Sequence, residues 1–202
     1  MAKLYYIYGC MNCGKSGHLL MKAYSFLENN IPILCIKPSI DNRDENEKIT
    51  SRIGLTMNCL TIDYDDNIYN IIDGYCINLT GIGQPKPKWL LCDESQFFTT
   101  QQIEELAKIV DILDINVMCY GLRNDFTGHL FEGSKRLFEL ADNIEEMKLS
   151  CSCGKKAIIN ARIDEYGAII REGEQILIGG NEVYKSMCRQ CYFKNNEEND
   201  MI

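Results

Sequence analysis

Leu4-Tyr5-Tyr6-Ile7-Tyr8-Gly9-Cys10-Met11-Asn12-Cys13-Gly14-Lys15-Ser16 decides the fold of this chain. Its second half, Gly9 to Ser16, fits the phosphate-binding pattern G-x-x-x-x-G-K-[ST] without a departure. The apolar run before it reads as a buried strand, and Gly17-His18-Leu19-Leu20-Met21-Lys22-Ala23 after it reads as the opening of a helix. Strand, loop and helix in that order are the context the motif requires. Two glycines let the backbone wrap a polyphosphate, and the loop N–H groups and the helix N-terminus donate to its oxygens. Lys15 reaches the outer phosphates, and the Ser16 hydroxyl is a Mg²⁺ ligand in such loops. Chance yields the full pattern in only about one chain in a hundred of this length, so nucleoside triphosphate binding is the expected function.

Composition narrows the setting. The 202 residues suffice for one good core plus a small appendage. No apolar run reaches the eighteen or so residues of a membrane span. The sequence opens on its first strand without signal-peptide anatomy, so a cytoplasmic protein with no membrane partner is expected. In that setting the 11 cysteines read as reduced thiols. Cys10, Cys13, Cys35, Cys59, Cys76, Cys92 and Cys119 are scattered, several inside apolar runs, and most read as small buried hydrophobes. A net charge of −8 disfavours a nucleic-acid partner, while a local nest of N–H groups and one lysine still suits a small anion.

Strand-like and helix-like segments alternate over the first 148 residues. Pro32-Ile33-Leu34-Cys35-Ile36-Lys37, Trp89-Leu90-Leu91-Cys92 and Ile115-Asn116-Val117-Met118-Cys119-Tyr120 are further strands. Thr99-Thr100-Gln101-Gln102 resembles a capping box, followed by Ile103, Leu106, Ala107 and Val110 at helical spacing. A second helix runs through Ser134-Lys135-Arg136-Leu137-Phe138-Glu139-Leu140. The alternation predicts an α/β fold of the P-loop NTPase (RecA-like) kind: a mainly parallel sheet with helices on both faces, its phosphate loop at the carboxyl edge. Residues 37–55 are strongly charged and read as a mobile loop or an exposed hairpin, either a solvated surface or an active-site flap. The pattern changes after Leu149. The expected division is a nucleotide-binding domain over 1–149, a small second domain over 150–193 and a flexible tail over 194–202.

Asp93-Glu94 ends the strand Trp89–Cys92. An acidic residue there, paired with a phosphate loop, helps hold Mg²⁺, and the adjacent Glu94 is a candidate general base. Cys151-Ser152-Cys153 and Cys188-Arg189-Gln190-Cys191 are two close pairs with 34 residues between them. Four thiolates complete a tetrahedral structural zinc site. Two disulfides or a redox dithiol are the alternatives, and neither suits an acidic cytosolic chain without a thioredoxin-like βαβ unit. His18 and His129 read as helix surface and loop surface.

These residues carry a resemblance. The phosphate loop, Asp93-Glu94-Ser95-Gln96-Phe97, Tyr120-Gly121-Leu122-Arg123-Asn124-Asp125-Phe126 and Ile178-Gly179-Gly180-Asn181-Glu182-Val183-Tyr184 occur in one order. That set resembles the type II thymidine kinases, zinc-containing and cytosolic, over residues 3–193. Ser51-Arg52-Ile53-Gly54, Phe131-Glu132-Gly133-Ser134 and the short C-x-C pair resemble its bacterial-type branch. The resemblance implies ATP-dependent phosphorylation of the 5′-hydroxyl of thymidine, with Mg²⁺ and a structural Zn²⁺ on Cys151, Cys153, Cys188 and Cys191. Gly9, Cys10, Met11, Asn12, Cys13, Gly14, Lys15, Ser16, Asp93, Glu94, Ser95 and Gln96 would serve ATP and Mg²⁺, with Asp41 and Arg43 near the phosphates and Glu94 as the base. Met11, Phe97, Leu122, Phe126 and Tyr184 would line the thymidine site. Gln175, Ile176, Leu177, Ile178 and Gly179 would close over the base as a lasso, whose glycines permit close backbone approach. Feedback inhibition by thymidine triphosphate and a homotetramer are implied as well. A competing expectation is a P-loop motor whose zinc module binds DNA or a partner. The mixed charges of that module, Lys155, Lys156, Arg162, Arg171, Lys185 and Arg189 against Asp164, Glu165, Glu172, Glu174 and Glu182, do not favour it. A non-catalytic paralogue would not need Lys15, Ser16, Asp93 and Glu94 together.

Overall fold

In the computed structural model, residues 1–41, 47–177 and 183–194 are described. Arg43, Ile178, Gly179 and Gly180 lie outside the described residues, as does the tail beyond Lys194. The phosphate-loop strand β1 (Leu4–Gly9) runs into α1 (Lys15–Glu28) as the motif requires. Then come β2 (Ile33–Pro38), β3 (Lys48–Thr50), β4 (Thr56–Asn58), β5 (Leu60–Ile62) and α2 (Ile68–Gly81). They are followed by β6 (Trp89–Cys92), α3 (Thr100–Leu113), β7 (Asn116–Leu122), α4 (Glu132–Leu140) and β8 (Asn143–Met147). The main sheet has the order β5-β2-β6-β7-β1-β8, and every neighbouring pair is parallel. β7 therefore lies between the strand carrying the phosphate loop and the strand ending at Asp93.

Alternation along the strands sends side chains to two different layers. Leu4, Tyr6, Leu90, Cys92, Val117 and Cys119 pack with Ile68 and Ile72 of α2, Ile103 and Leu106 of α3, and Leu137 of α4. Ile7, Cys35, Leu91, Met118 and Tyr120 face the other way, onto Leu19, Leu20 and Ala23 of α1. This second layer is completed by the antiparallel hairpin β3–β4, whose Ile49 is buried in it. The charged stretch that reads as a mobile loop or exposed hairpin thus ends in a hairpin with a core-facing side. Cys35, Cys59, Cys76, Cys92 and Cys119 are free and buried, as small hydrophobes are. Among the described residues no helix is long and apolar enough to cross a membrane.

Local signals and distant partners share the work of starting helices. Thr99 caps α3, its hydroxyl accepting from Gln102 N–H at 3.1 Å while the Gln102 side chain accepts from Thr99 N–H at 3.1 Å. The first turn of α2 leans on α3: the buried Glu105 carboxylate accepts from Ile68 N–H at 2.7 Å and from Asn67 Nδ2 at 2.7 Å. A carboxylate there also meets the positive end of the helix dipole.

A smaller antiparallel sheet follows, with order β10-β9-β11: β9 (Ile159–Ile163), β10 (Ile169–Ile170) and β11 (Tyr184–Met187), before the short α5 (Arg189–Lys194). Its core is a separate cluster of Ala157, Ile159, Ala161, Met187 and Tyr192 with Cys151 and Cys188, and Cys10 of the phosphate loop joins it.

A 3-10 turn over Ser95–Phe97 leaves β6 and presses on two glycines. A Cβ on Gly133 of α4 would lie 2.5 Å from Phe98 O and 2.7 Å from Ser95 O. Both are backbone atoms, so relief requires moving the turn or the helix. The Gly133→Ala variant should therefore lose about 1–3 kcal/mol of stability to overpacking, read as a lower urea midpoint at unchanged slope.

Candidate functional site

The phosphate loop takes its shape from three backbone requirements. A Cβ on Gly9 would sit 2.5 Å from Cys13 Sγ and 2.6 Å from Met147 O. Gly14 enters α1 with φ 87°, and Asn12 has φ 69°. Glycine and asparagine are the residues that tolerate this left-handed backbone. Within the loop, Cys13 N–H donates to Cys10 O at 3.4 Å, and the buried Lys15 ammonium donates to Cys10 O at 2.9 Å. The loop is also held from the small sheet. Met11 N–H donates to Asn160 Oδ1 at 2.8 Å, and Ser186 Oγ donates to Met11 O at 2.9 Å. Arg52, from the β3–β4 hairpin, hydrogen-bonds Asn12 Oδ1.

Opposite the loop, at the end of β6, two buried carboxylates adjoin. Asp93 is 4% exposed and Glu94 8%. Burial first, and then the charge of Glu94, pushes the Asp93 carboxyl up to about 7, against the Ser16 hydroxyl and the Lys15 ammonium, which favour its ionised form. Asp93 Oδ1 is buried with no hydrogen-bond partner. A buried, unpartnered carboxylate oxygen on a side chain bonded to the Ser16 hydroxyl is a donor set that fits a hard cation such as Mg²⁺. Glu94 sits at φ 48°, ψ 37°, the left-handed region that costs a side-chain-bearing residue on the order of 1–3 kcal/mol. Its surroundings impose that conformation. Gln96 Nε2 donates to Glu94 Oε2 at 2.6 Å, Leu122 N–H donates to Gln96 Oε1 at 2.9 Å, and Ser95 Oγ donates to Tyr120 O at 2.9 Å. Gly121 makes room for this, since a Cβ there would meet Ser95 Oγ at 2.8 Å and Gln96 Oε1 at 2.9 Å.

A third wall is aromatic and apolar. Phe126 is buried, Phe97 meets Phe131 edge-on at 5.7 Å, and Tyr184 Oη donates to Leu177 O at 2.9 Å. The segment before residue 178 is tied to this wall through Asp125, whose Oδ2 accepts from Gln175 Nε2 at 2.9 Å. Asp125 Oδ1 takes N–H bonds from Thr127 and His129 and the Thr127 hydroxyl. Tyr192 Oη donates to Phe126 O at 3.1 Å, a second tie between the small sheet's core and this wall.

One cleft of about 620 Å³ joins these parts, within the range of small-molecule sites. Of the residues singled out from sequence, Met11, Asn12, Gly14, Lys15, Ser16, Asp41, Asp93, Glu94, Gln96, Phe97, Leu122, Phe126, Gln175, Ile176, Leu177 and Tyr184 line it. Gly9, Cys10, Cys13 and Ser95 are not on its surface; Cys10 packs into the small sheet's core, and Ser95 buttresses the acidic turn. His18 is a correction: it lines the cleft, with its Nδ1 3.1 Å from Tyr120 Oη, rather than standing on plain helix surface. Its place three residues after Lys15, on the same helix face, was a readable signal. Asn160, by contrast, is a buried polar residue of a distant strand, and no local pattern marks it.

The four Sγ atoms of Cys151, Cys153, Cys188 and Cys191 lie within 4.8 Å of one another. Cys153 Sγ and Cys188 Sγ are 3.6 Å apart, beyond a disulfide bond. All four are free thiols and could hold a metal ion.

A parallel α/β sheet with this loop and acidic turn at its carboxyl edge defines a P-loop NTPase-type fold with a small cysteine-bearing sheet over the cleft. The family model described as thymidine kinase matches residues 2–192. A thymidine kinase of Shouchella clausii is 46% identical over 193 residues, covering 95% of this chain and 96% of that one. One from Listeria monocytogenes is 45% identical, covering 95% and 97%, and one from Mannheimia succiniciproducens is 43% identical, covering 94% of each. The chain belongs to the thymidine kinase family.

The Asp125 network yields a pH signature. Burial alone would raise this carboxyl, but the bonds from Gln175, Thr127 and the His129 and Thr127 N–H groups outweigh it and hold it below its ordinary 3.8. A depressed carboxyl contributes stability above its unfolded value and loses it as pH falls through the folded value. Asp125→Asn should therefore be less stable than the parent at pH 7, by about 1 kcal/mol, the net worth of one intramolecular hydrogen bond. Thermal melts of the pair should converge as the pH drops below about 4.

Proposed function

We propose that this protein transfers the γ-phosphate of ATP to the 5′-hydroxyl of thymidine, giving the monophosphate for DNA precursor synthesis. The observation that carries this reading is that one cleft has both a phosphate-binding and an apolar lining. The phosphate loop and acidic pair line it together with Leu122, Phe126 and Tyr184. Membership of the thymidine kinase family supports the same substrates.

Each group has a role its chemistry suits. The loop N–H groups and Lys15 cradle the β- and γ-phosphates, Lys15 exchanging its bond to Cys10 O for phosphate oxygen. Ser16 and Asp93 hold Mg²⁺, which when bound neutralises charge on the transferring group. Asp41 lines the same cleft, and Arg43, outside the described residues, is assigned to the phosphates by the resemblance alone. Glu94 accepts the 5′-hydroxyl proton; Gln96 orients its carboxylate, and the strained turn keeps it from swinging away. Met11, Phe97, Leu122, Phe126 and Tyr184 enclose the thymine and its methyl group. The backbone of 175–179 hydrogen-bonds the base edge. The four cysteines carry a structural Zn²⁺. Four free thiol sulfurs within 4.8 Å of one another support a four-thiolate site, which would supply structural cross-linking and leave no open position for chemistry. Feedback inhibition by thymidine triphosphate, a homotetramer and a cytoplasmic location belong to the same reading.

The motor alternative draws no support from the small sheet. Arg162 and Arg171, two of the bases it would need outside, turn onto the rings of Phe126 and Tyr192 at 3.9 and 4.4 Å.

Purified protein with Mg-ATP and each common deoxynucleoside tests the assignment: monophosphate should form from thymidine and little from deoxycytidine or purines. ATP hydrolysis stimulated by DNA without nucleoside product is the contrary result. In the same assay Glu94→Gln should lower kcat by about two orders of magnitude or more while ATP binding persists; unchanged turnover would remove Glu94 from the role. Cys188→Ser should release zinc, measured by atomic absorption, and weaken thymidine binding. Full metal content with unchanged affinity counts against a structural zinc.

A further inference from the structure

Arg162 is 5% exposed, and among the described residues no carboxylate pairs with it. It sits on β9, the central strand of the small sheet, directly across from Tyr184 on β11. Its guanidinium lies 3.9 Å from the Phe126 ring centroid. Its Nη2 donates to Glu174 O at 2.9 Å and to Tyr184 Oη at 3.0 Å. Gly173 gives way to it, since a Cβ there would lie 3.3 Å from Nη1. Its Nε is buried with no partner. Phe126 and Tyr184 line the cleft; Arg162 does not.

A buried cation among neutral acceptors is an expensive way to fill space, and an apolar side chain of similar volume is often the more stabilising choice. What the guanidinium supplies is direction. A planar fork can stack on one ring while holding a carbonyl and a hydroxyl in its own plane, which an ammonium cannot do. Tyr184 Oη passes the constraint on to Leu177 O. Three pieces of the acceptor wall therefore share one anchor: the Phe126 ring, the Tyr184 ring and the 174–177 backbone.

We infer that Arg162 is a positioning residue for the acceptor nucleoside, which fixes the spacing between Phe126 and Tyr184 and sets the approach of the 174–177 segment to the base without touching substrate. This rests on the thymidine reading above. The groups that Arg162 holds, Phe126, Tyr184 and Glu174 O, belong to the acceptor wall, so it governs recognition of the base and not of ATP.

The test is steady-state kinetics on the zinc-loaded protein, with wild type, Arg162→Met, Arg162→Lys, Tyr184→Phe and the Arg162→Met/Tyr184→Phe double variant. Zinc content and circular dichroism equal to wild type establish that each is folded. Arg162→Met should raise KM for thymidine tenfold or more, with kcat and KM for ATP within about threefold. Arg162→Lys should fail to restore it. Tyr184→Phe should raise the same KM, and the double variant should be no worse than Arg162→Met alone. A thymidine KM unchanged in folded Arg162→Met overturns the proposal and leaves the kinase reading standing. So does a loss confined to kcat, rescue by lysine, or additive effects in the double variant. Absence of thymidine turnover in wild type overturns the kinase reading, and the proposal with it. If Arg162→Met does not fold, Tyr184→Phe and Arg162→Lys decide: wild-type thymidine KM in both is the overturning result.

Discussion

The backbone of Met11 is the hinge on which the site depends. Its N–H and its C=O are both taken by the small sheet, through Asn160 and Ser186, at 2.8 and 2.9 Å. The loop expected to grip phosphate is thus registered against strands that begin nearly 150 residues later. Lys15 and Ser16 follow from the main sheet, while Tyr184 and Arg162 follow from the small one. The Met11 bonds, the Cys10 packing and the Asp125–Gln175, Tyr192–Phe126 and Arg162–Phe126 contacts help to fix the distance between the phosphate loop and the apolar wall. For a phosphoryl transfer, where positioning supplies much of the rate, that distance is a functional quantity.

The acidic turn shows the opposite economy. Two buried carboxylates side by side, one in a left-handed backbone conformation, are locally unfavourable. The turn persists because it is determined from several directions: Gln96 bridges to Leu122, Ser95 to Tyr120, and Gly121 and Gly133 leave the turn its room. A cation at Asp93 and Ser16 would relieve the repulsion between the two carboxylates.

What could be read from the sequence was what is encoded locally. The phosphate loop, the Asp93-Glu94 strand end and the Thr99 capping box each place their partners within a few residues, and each lies where the pattern put it. α2 was not legible. Its run Ile68-Tyr69-Asn70-Ile71-Ile72 is rich in β-branched residues, and much of its N-terminal support comes from Glu105 on another helix. β8 was missed for a related reason. As an edge strand it carries Glu145 and Glu146 and little apolar alternation, and its place is set by pairing with β1. Asn160 and Arg162 were beyond reach for a stronger reason. A polar residue inside a short strand means nothing until the facing sheet is known, and both acquire their roles only from what packs over them.

The small sheet gives the four clustered cysteines a structural use under the zinc proposal. Its cluster is two alanines, Ile159, Met187 and Tyr192 with Cys10 and two of the four clustered thiols, too little apolar surface to hold three short strands by itself. A metal on four thiolates would tie the segment before β9 to the one after β11, closing the loop that carries Arg162, Gln175 and Tyr184. On this view the metal does no chemistry. It would make a weak sheet rigid enough for Arg162 to hold Phe126 and Tyr184 apart, and for Asn160 and Ser186 to hold Met11. Loss of the metal should then reach the phosphate loop as well as the base wall, because both are anchored to the same strands.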